Sequence, residues 1–236
     1  MLPTDPRAIW SRRTFMVAVG AAVYGCATQR SDAPQPTPVP VPPPEVPPPV
    51  AAPAPEPRRF SWNKQLSPAV ARAIDHVLEQ DSDHPRAAVL DFTAHSSRPR
   101  FHVVDRASGD LLQSFRVAHG HGSEGKHNDG YAEIFSNEPG SNASSLGLYR
   151  TAEMYHSDIY PGVSMRMDGL SATNSNARSR FVVIHEAWYM EPESWKGKKN
   201  GRPGRSEGCF AFSRADRDAV IAELAGGALI YACYEK

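Results

Sequence analysis

The stretch GRPGRSEGCFAF, residues 201–212, places Cys209 directly behind Ser206-Glu207-Gly208. Three roles are open for this thiol: a packed core residue, one half of a disulfide, or a nucleophile. A disulfide would pair it with Cys233, the other cysteine in the C-terminal half of the chain. Cys233 lies in ALIYACY, residues 228–234, where the alternation of small and aromatic residues is typical of a thiol buried in a strand.

A candidate basic partner for the thiol lies upstream. RFVVIHEAW, residues 180–188, has three β-branched residues in succession and predicts a strand that runs into His185. An imidazole close to a thiol can hold it as a thiolate, which is the nucleophilic form. The turn before Cys209 could also aim backbone amides at a developing oxyanion. On these residues alone, catalysis and a purely structural thiol both remain open.

Two helices flank what is otherwise a pattern of strands. In residues 66–80, Ser67 suits an N-cap and Pro68 the first helical position, and Ser213 suits the N-cap of a second helix near the C-terminus. The other predicted strands are AAVLDF (87–92), RFHVVDR (100–106), LLQSFRVAH (111–119) and ALIYACY (228–234). Strands outnumber helices, which predicts a mainly β fold with peripheral helices, an α+β sandwich or barrel.

The region between about 119 and 180 loses this periodicity and is rich in Gly, Ser and Asn. We expect a long, ordered functional loop there, because apolar residues such as Tyr131 and Phe135 can anchor it. Its three histidines lack the accompanying carboxylate or cysteine pattern of a metal site, so no metal is predicted; they are His119, His121 and His127.

The first 59 residues have the pattern of an export signal followed by a spacer. Arg12 and Arg13 precede a short apolar run, as in an export signal of the twin-arginine type over residues 1–27. Cys26 follows Gly25 as in a bacterial lipobox and is a candidate lipid anchor; ordinary cleavage near that point is the alternative. Residues 28–59 form a proline-rich, extended linker, and residues 60–236 suffice for one domain. The 26 basic residues balance 26 acidic ones, so nothing favours nucleic acid as a partner.

Together these motifs resemble the catalytic domain of the L,D-transpeptidases, the YkuD-type domain of bacterial cell-wall enzymes, in a divergent second branch. The resemblance covers roughly residues 95–234, and its centre is the order His185, loop, Ser206-x-Gly208-Cys209. Further matching motifs are Gly120-x-Gly122, Phe135-Ser136-Asn137, Ser144-Ser145-Leu146-Gly147 and Asn174. Two positions depart from the commonest pattern: Glu186 follows the histidine instead of glycine, and Ala211 replaces an arginine or asparagine.

The resemblance implies an L,D-transpeptidase-like β-sandwich or barrel and a periplasmic cysteine acyltransferase that cross-links peptidoglycan stem peptides without a cofactor. Cys209 would form the thioester and His185 would act as general base. Implied orienting or oxyanion-binding residues are Gly208, Ser206 and Glu186, and implied substrate-binding residues are Arg205, Asn137, Ser144 and Ser145. Two alternatives remain: a thiol hydrolase acting on the same stem peptides or on wall-linked proteins, and a non-catalytic, peptidoglycan-binding envelope lipoprotein.

Overall fold

The computed structural model describes residues 66–197, 199 and 201–235, and the predicted export signal, Cys26 and linker lie outside them. Within the described residues, the α-helices are α1 (Pro68–Leu78), α2 (Pro192–Trp195) and α3 (Arg214–Leu224). The strands are β1 (Arg86–Asp91), β2 (Phe101–Asp105), β3 (Leu111–Phe115), β4 (Gly147–His156), β5 (Val163–Gly169), β6 (Val183–Glu186), β7 (Phe210–Phe212) and β8 (Leu229–Cys233). No helix in this part of the chain has both the length and the apolar composition needed to cross a bilayer.

All eight strands belong to one sheet with the order β3-β2-β1-β8-β4-β5-β6-β7. Most neighbours are antiparallel, but β1 pairs parallel with β8 and β6 pairs parallel with β7. Beyond β3, the Ala118 N–H donates to the carbonyl of Ala211 at 2.9 Å, and Gly120 forms a bridge with Ser206. The two edges therefore meet and the sheet is a nearly closed barrel, which confirms the mainly β prediction.

Two apolar clusters lie on the two faces of the sheet. One cluster contains the aromatic residues Phe101, Phe210 and Phe212, with the Phe101 and Phe212 rings edge-to-face at 5.2 Å between centroids. The other is covered by α1, whose N-cap Ser67 accepts from the Val70 N–H at 3.2 Å, as predicted. Cys233 belongs to this second cluster.

The expectation of one long loop from 119 to 180 is wrong, because β4 and β5 form an antiparallel hairpin there. Burial alternates only in the first half of β4, and the register shifts between Thr151 and Met154. Past that bulge the hairpin is largely exposed, up to 82% at Ile159. A half-buried strand followed by a solvated one leaves no clean period of two in the sequence.

Candidate active site

His185 lies within strand β6, and Cys209 lies directly before the neighbouring strand β7. The parallel register places Ile184 opposite Phe210 and His185 opposite Ala211, so Cys209 immediately precedes β7. The thiol donates to the carbonyl oxygen of Phe181 at 3.4 Å. Phe181 itself has φ of 55°, a left-handed conformation that is strained for an aromatic residue and that sequence patterns did not predict.

The His185 ring is oriented by the backbone of the next residue. Its Nδ1 lies 2.8 Å from the carbonyl oxygen of Glu186. A carbonyl can only accept, so Nδ1 carries the proton and Nε2 keeps its lone pair. Nε2 is buried and has no hydrogen-bond partner among the described residues. The Glu186 carboxylate points elsewhere, into an ion pair with the buried guanidinium of Arg217.

Burial keeps both His185 and Cys209 uncharged. It lowers the pKa of His185 to about 4, with a smaller contribution from the positive Arg217 and an opposing one from the Glu186 carbonyl. It also raises the pKa of Cys209, and the charge of Glu207 acts in the same direction. A thiolate is therefore not the resting form. Burying a neutral thiol and a neutral imidazole costs less free energy than burying the charged pair.

Tyr160, in the turn between β4 and β5, contacts both residues. Its ring stacks on the His185 imidazole with 3.7 Å between centroids and an interplanar angle of 23°. Its hydroxyl lowers the pKa of the Cys209 thiol, and the pKa of Tyr160 itself is raised to about 12, mainly by burial and in part by Cys209. The sequence carried no signal for this residue, because it sits in an exposed hairpin without periodicity.

The turn before Cys209 is held by its own side chains. Ser206 Oγ donates to the Cys209 carbonyl at 2.7 Å and accepts from the Gly208 N–H at 3.2 Å. Gly208 has φ of 109°, and a Cβ added there would lie 2.7 Å from the Ala143 carbonyl oxygen. Ser206 and Gly208 therefore shape the turn. In the free protein, the Ser206 hydroxyl and the Gly208 N–H both donate within this turn.

Three of the four residues expected to bind substrate are used internally instead. Ser144 and Ser145 are buried, with Ser144 Oγ accepting from the Gly120 N–H at 3.0 Å and Ser145 Oγ donating to the Ser136 carbonyl at 2.8 Å. The Asn137 amide binds the backbone and a hydroxyl of the 172–176 segment. The chemistry of small polar residues in a loop suggested exposure, but here they replace secondary structure in satisfying buried backbone groups.

Arg180 is a residue that the sequence analysis did not single out. Its guanidinium donates to the carbonyls of Ser136 and Ala143 at 2.8 and 2.6 Å and to the hydroxyl of Ser145 at 2.6 Å. It thereby clamps the loop that packs against Gly208, and its positive charge lowers the pKa of Cys209. A five-donor side chain suits this role because it satisfies several acceptors at once.

The fourth expected substrate-binding residue, Arg205, lines a cleft beside the turn. Its Nη1 lies 3.0 Å from Glu124 Oε1. Of the three histidines between residues 119 and 127, His119 is fully buried, whereas His121 and His127 are exposed. Within the described residues, no group of three or more His, Cys, Asp or Glu side chains could hold a metal ion.

Residues 61–233 match the family model YkuD_2, described as an L,D-transpeptidase catalytic domain. No curated protein sequence matches the chain. Among solved structures, an L,D-transpeptidase from Mycobacterium smegmatis is 14% identical, with a TM-score of 0.37 and coverage of 63% of this chain and 58% of the other. The corresponding values for an L,D-transpeptidase (Yku) from Stackebrandtia nassauensis are 15%, 0.37, 70% and 64%. The chain spans about three fifths of the length of these structures.

Proposed function

The chain belongs to the L,D-transpeptidase catalytic-domain family, and from this premise we propose that it is a cysteine acyltransferase acting on peptidoglycan stem peptides. Cys209 is the nucleophile and His185 the general base. The observation that carries the proposal is the position of Tyr160, whose ring stacks on His185 and whose hydroxyl lowers the pKa of the Cys209 thiol, so that all three groups share one site.

The tautomer of His185 supports its role. Because the Glu186 carbonyl holds the proton on Nδ1, the Nε2 lone pair is the atom that can take a proton from the thiol. The thiol donates to Phe181 in the free protein, so it has to turn away from that carbonyl before it transfers its proton. Hydrogen bonds between catalytic groups are often absent before substrate binds.

The reaction then proceeds in two balanced halves. The thiol proton passes to His185 Nε2 as sulfur attacks a stem-peptide carbonyl, and the imidazolium returns that proton to the departing amine, which leaves a thioester on Cys209. An amine of a second stem attacks the thioester, loses its proton through His185, and the thiol is restored as the new amide forms. One amide replaces another, so no energy source is consumed.

Residues 1–59 complete the proposal. We assign residues 1–27 to export and residues 28–59 to a linker that spaces the catalytic domain of residues 60–236 from the membrane. Cys26 would be the lipidated residue and the location the periplasm. Mass analysis of the N-terminal peptide of the mature protein tests this: a diacylglyceryl-modified Cys26 supports the anchor, and an unmodified N-terminus elsewhere removes it.

The catalytic proposal is tested by incubating the protein with a stem tetrapeptide, with and without an acceptor amine, and measuring intact masses. We expect a thioester adduct on Cys209 and, with acceptor, a cross-linked product. Cys209→Ser should abolish both, because a serine hydroxyl is far less acidic than a thiol. Free acid as the sole product, even with acceptor present, would instead indicate a hydrolase.

Cys233→Ser is the matched control. Cys233 is the other free, buried thiol of the described chain and lies in the cluster under α1. This variant should keep transfer and lose only packing energy, on the order of 1 kcal/mol. An active Cys209→Ser variant beside an inactive Cys233→Ser variant would contradict the proposal.

A further inference from the structure

A cleft of about 580 Å³ opens beside the turn that precedes Cys209. Trp188, Tyr189 and Trp195 form its aromatic wall, and the segment from Gly201 to Arg205 forms the opposite side. Trp188 is 75% exposed, although tryptophan side chains are on average highly buried, and its ring contacts Tyr189 edge-to-face at 6.0 Å between centroids. We call this feature the basic cleft, because its charged lining residues in the described part of the chain are Lys199, Arg202 and Arg205.

The charges of the basic cleft do not balance. Glu124, which lies behind the two arginines with its side chain 6% exposed, pairs with Arg202 at 2.7 Å and with Arg205 at 3.0 Å through the same oxygen, Oε1. One carboxylate thus serves two guanidinium groups, while no described lining residue is acidic. A partly desolvated excess of positive charge attracts an anionic group.

The Glu124 carboxylate is confined by burial, with its side chain 6% exposed, and by its two ion pairs with Arg202 and Arg205. Its Oε1 lies 3.4 Å from His119 Nε2. Arg100 donates to His119 Nδ1 at 2.9 Å, and since arginine only donates, the His119 proton is on Nε2, which is buried and makes no hydrogen bond among the described residues. Burial and the surrounding arginines lower the pKa of His119 to about 2, so it stays neutral. The two arginines are therefore preorganised.

The basic cleft lies next to the chain segment that leads into the proposed site. Tyr189 contributes to its wall, and the charges of Cys209 and Tyr160 act on the Tyr189 hydroxyl, whose pKa is raised mainly by burial. Gly204 packs against the Tyr189 side chain so closely that an added Cβ would meet it at 2.7 Å. The chain then runs directly from Arg205 into the Ser206–Cys209 turn. A peptide bound at the thiol can extend into the cleft.

We propose that the basic cleft binds a free carboxylate of the stem peptide through Arg202 and Arg205, with the aromatic wall packing against the neighbouring apolar atoms. Planar guanidinium groups suit a carboxylate because they present paired donors. This inference rests on the proposed function and specifies which chemical group of the substrate is recognised and where.

The test measures binding separately from chemistry. The full chain carrying Cys209→Ala is titrated calorimetrically with a stem tetrapeptide that has free carboxylates and with the same peptide whose carboxylates are amidated. We expect Arg205→Gln and Arg202→Gln each to weaken binding of the free-acid peptide about tenfold, as for loss of one charge-assisted hydrogen bond. The amidated peptide should bind the parent protein about tenfold more weakly than the free-acid peptide. When both arginines are replaced, the two peptides should bind with nearly equal affinity.

Arg72→Gln is the matched control, since Arg72 is an exposed arginine on α1, and its replacement should leave binding unchanged. Arg205→Lys checks folding and should bind between the parent and Arg205→Gln. Equal affinity for both peptides, unchanged affinity in the arginine variants, or no binding of the free-acid peptide overturns the assignment. The proposed function is tested separately, by thioester formation on Cys209. If acyl transfer is unchanged in the Arg202 and Arg205 variants, the proposed function stands and the carboxylate site is excluded.

Discussion

Glu186 and Arg217 form a buried ion pair in which Oε2 and Nη2 are 3.2 Å apart and the side chains are 8% and 5% exposed. Arg217, on α3, also donates to the carbonyls of Pro161 and Val163 at the end of the β4–β5 turn. That turn carries Tyr160. The residue after His185 is thus connected through α3 to the hairpin that covers the imidazole, at a position where the commonest family pattern has glycine.

We predict that Arg217→Gln destabilises the protein by about 3 kcal/mol, because it removes the buried one of the two arginines that pair with the buried Glu186 carboxylate. Arg214 pairs with the same carboxylate at 3.2 Å but is 68% exposed, so Arg214→Gln should cost at most about 0.5 kcal/mol. Urea unfolding measures both. A second change, Glu186→Gln, should recover part of the stability of Arg217→Gln; equal costs for the two arginines would contradict the pairing.

The neutral state of the thiol predicts the pH dependence of its alkylation. Burial raises the pKa of Cys209 and lowers that of His185, so the thiolate fraction is small at neutral pH and grows as pH rises. With Cys26 and Cys233 both replaced by serine, so that Cys209 is the remaining thiol, the iodoacetamide rate constant should therefore rise through pH 7–9 without a plateau. A plateau reached below pH 7 would indicate a stable thiolate–imidazolium pair instead.

Tyr160→Phe should slow this alkylation at a fixed pH of 8, on the order of tenfold. The variant keeps the ring that stacks on His185 but removes the hydroxyl that lowers the pKa of Cys209, and a hydrogen bond from such a hydroxyl to a thiolate would contribute about 1.5–3 kcal/mol. Tyr131→Phe, at an exposed tyrosine that packs on His95, serves as the control and should leave the rate unchanged. An unaltered rate in Tyr160→Phe would exclude the hydroxyl from the site.

Local chemistry allowed much of the fold to be predicted. Ser67 and Ser213 cap their helices as expected, accepting from backbone N–H groups three residues on. These features depend on the nearest few residues, and strand β6 likewise follows from its own β-branched residues.

The parts that could not be predicted depend on contacts between distant segments. Tyr160 and Arg180 reach the Cys209 turn from other parts of the chain, and nothing in their own neighbourhoods marks them. Ser144 and Ser145 resembled ligand-binding residues because a polar residue in a loop can face either solvent or buried backbone. Which one it faces is decided by the surrounding fold, here by the Ser123 hydroxyl and by Arg180.

Buried neutral histidines predict a loss of stability in mild acid. Burial lowers the pKa of His102 from 6.5 to about 4, so between these values the unfolded chain binds a proton that the folded protein does not. The contribution is therefore fully present above pH 6.5 and is lost as pH falls towards 4. From pH 7 to 5, His102→Asn should lose about 2 kcal/mol less stability than the parent.

Asparagine can keep the bond that His102 Nδ1 makes with Ser114 Oγ at 2.8 Å, so this variant tests the titration more than the packing. Replacing the exposed His121 by asparagine gives the comparison. Chemical unfolding at both pH values provides the free energies. If the parent and His102→Asn lose the same stability between pH 7 and 5, the acid sensitivity does not come from this histidine.

Gly208 and Gly226 allow the shape of the Cys209 turn to be tested against a matched background. Their φ values are 109° and 103°, so alanine is conformationally strained to a similar degree at both. At Gly226 an added Cβ meets nothing within 4 Å, whereas at Gly208 it meets the Ala143 carbonyl at 2.7 Å and Arg180 Nη2 at 3.2 Å. Only Gly208→Ala therefore forces the turn away from the loop that Arg180 clamps.

We expect Gly208→Ala to cost about 1–3 kcal/mol more than Gly226→Ala in urea unfolding, the usual penalty for overpacking a rigid site. The Ala143 carbonyl and the Cys209 turn cannot both keep their positions in this variant. Cys209 should therefore also move relative to Tyr160 and Val183, which lower the pKa of its thiol. Its alkylation should consequently slow in Gly208→Ala and stay at the parent rate in Gly226→Ala. Equal stability and equal alkylation in the two variants would mean that the turn has room for a side chain, and that its geometry does not set the reactivity of Cys209.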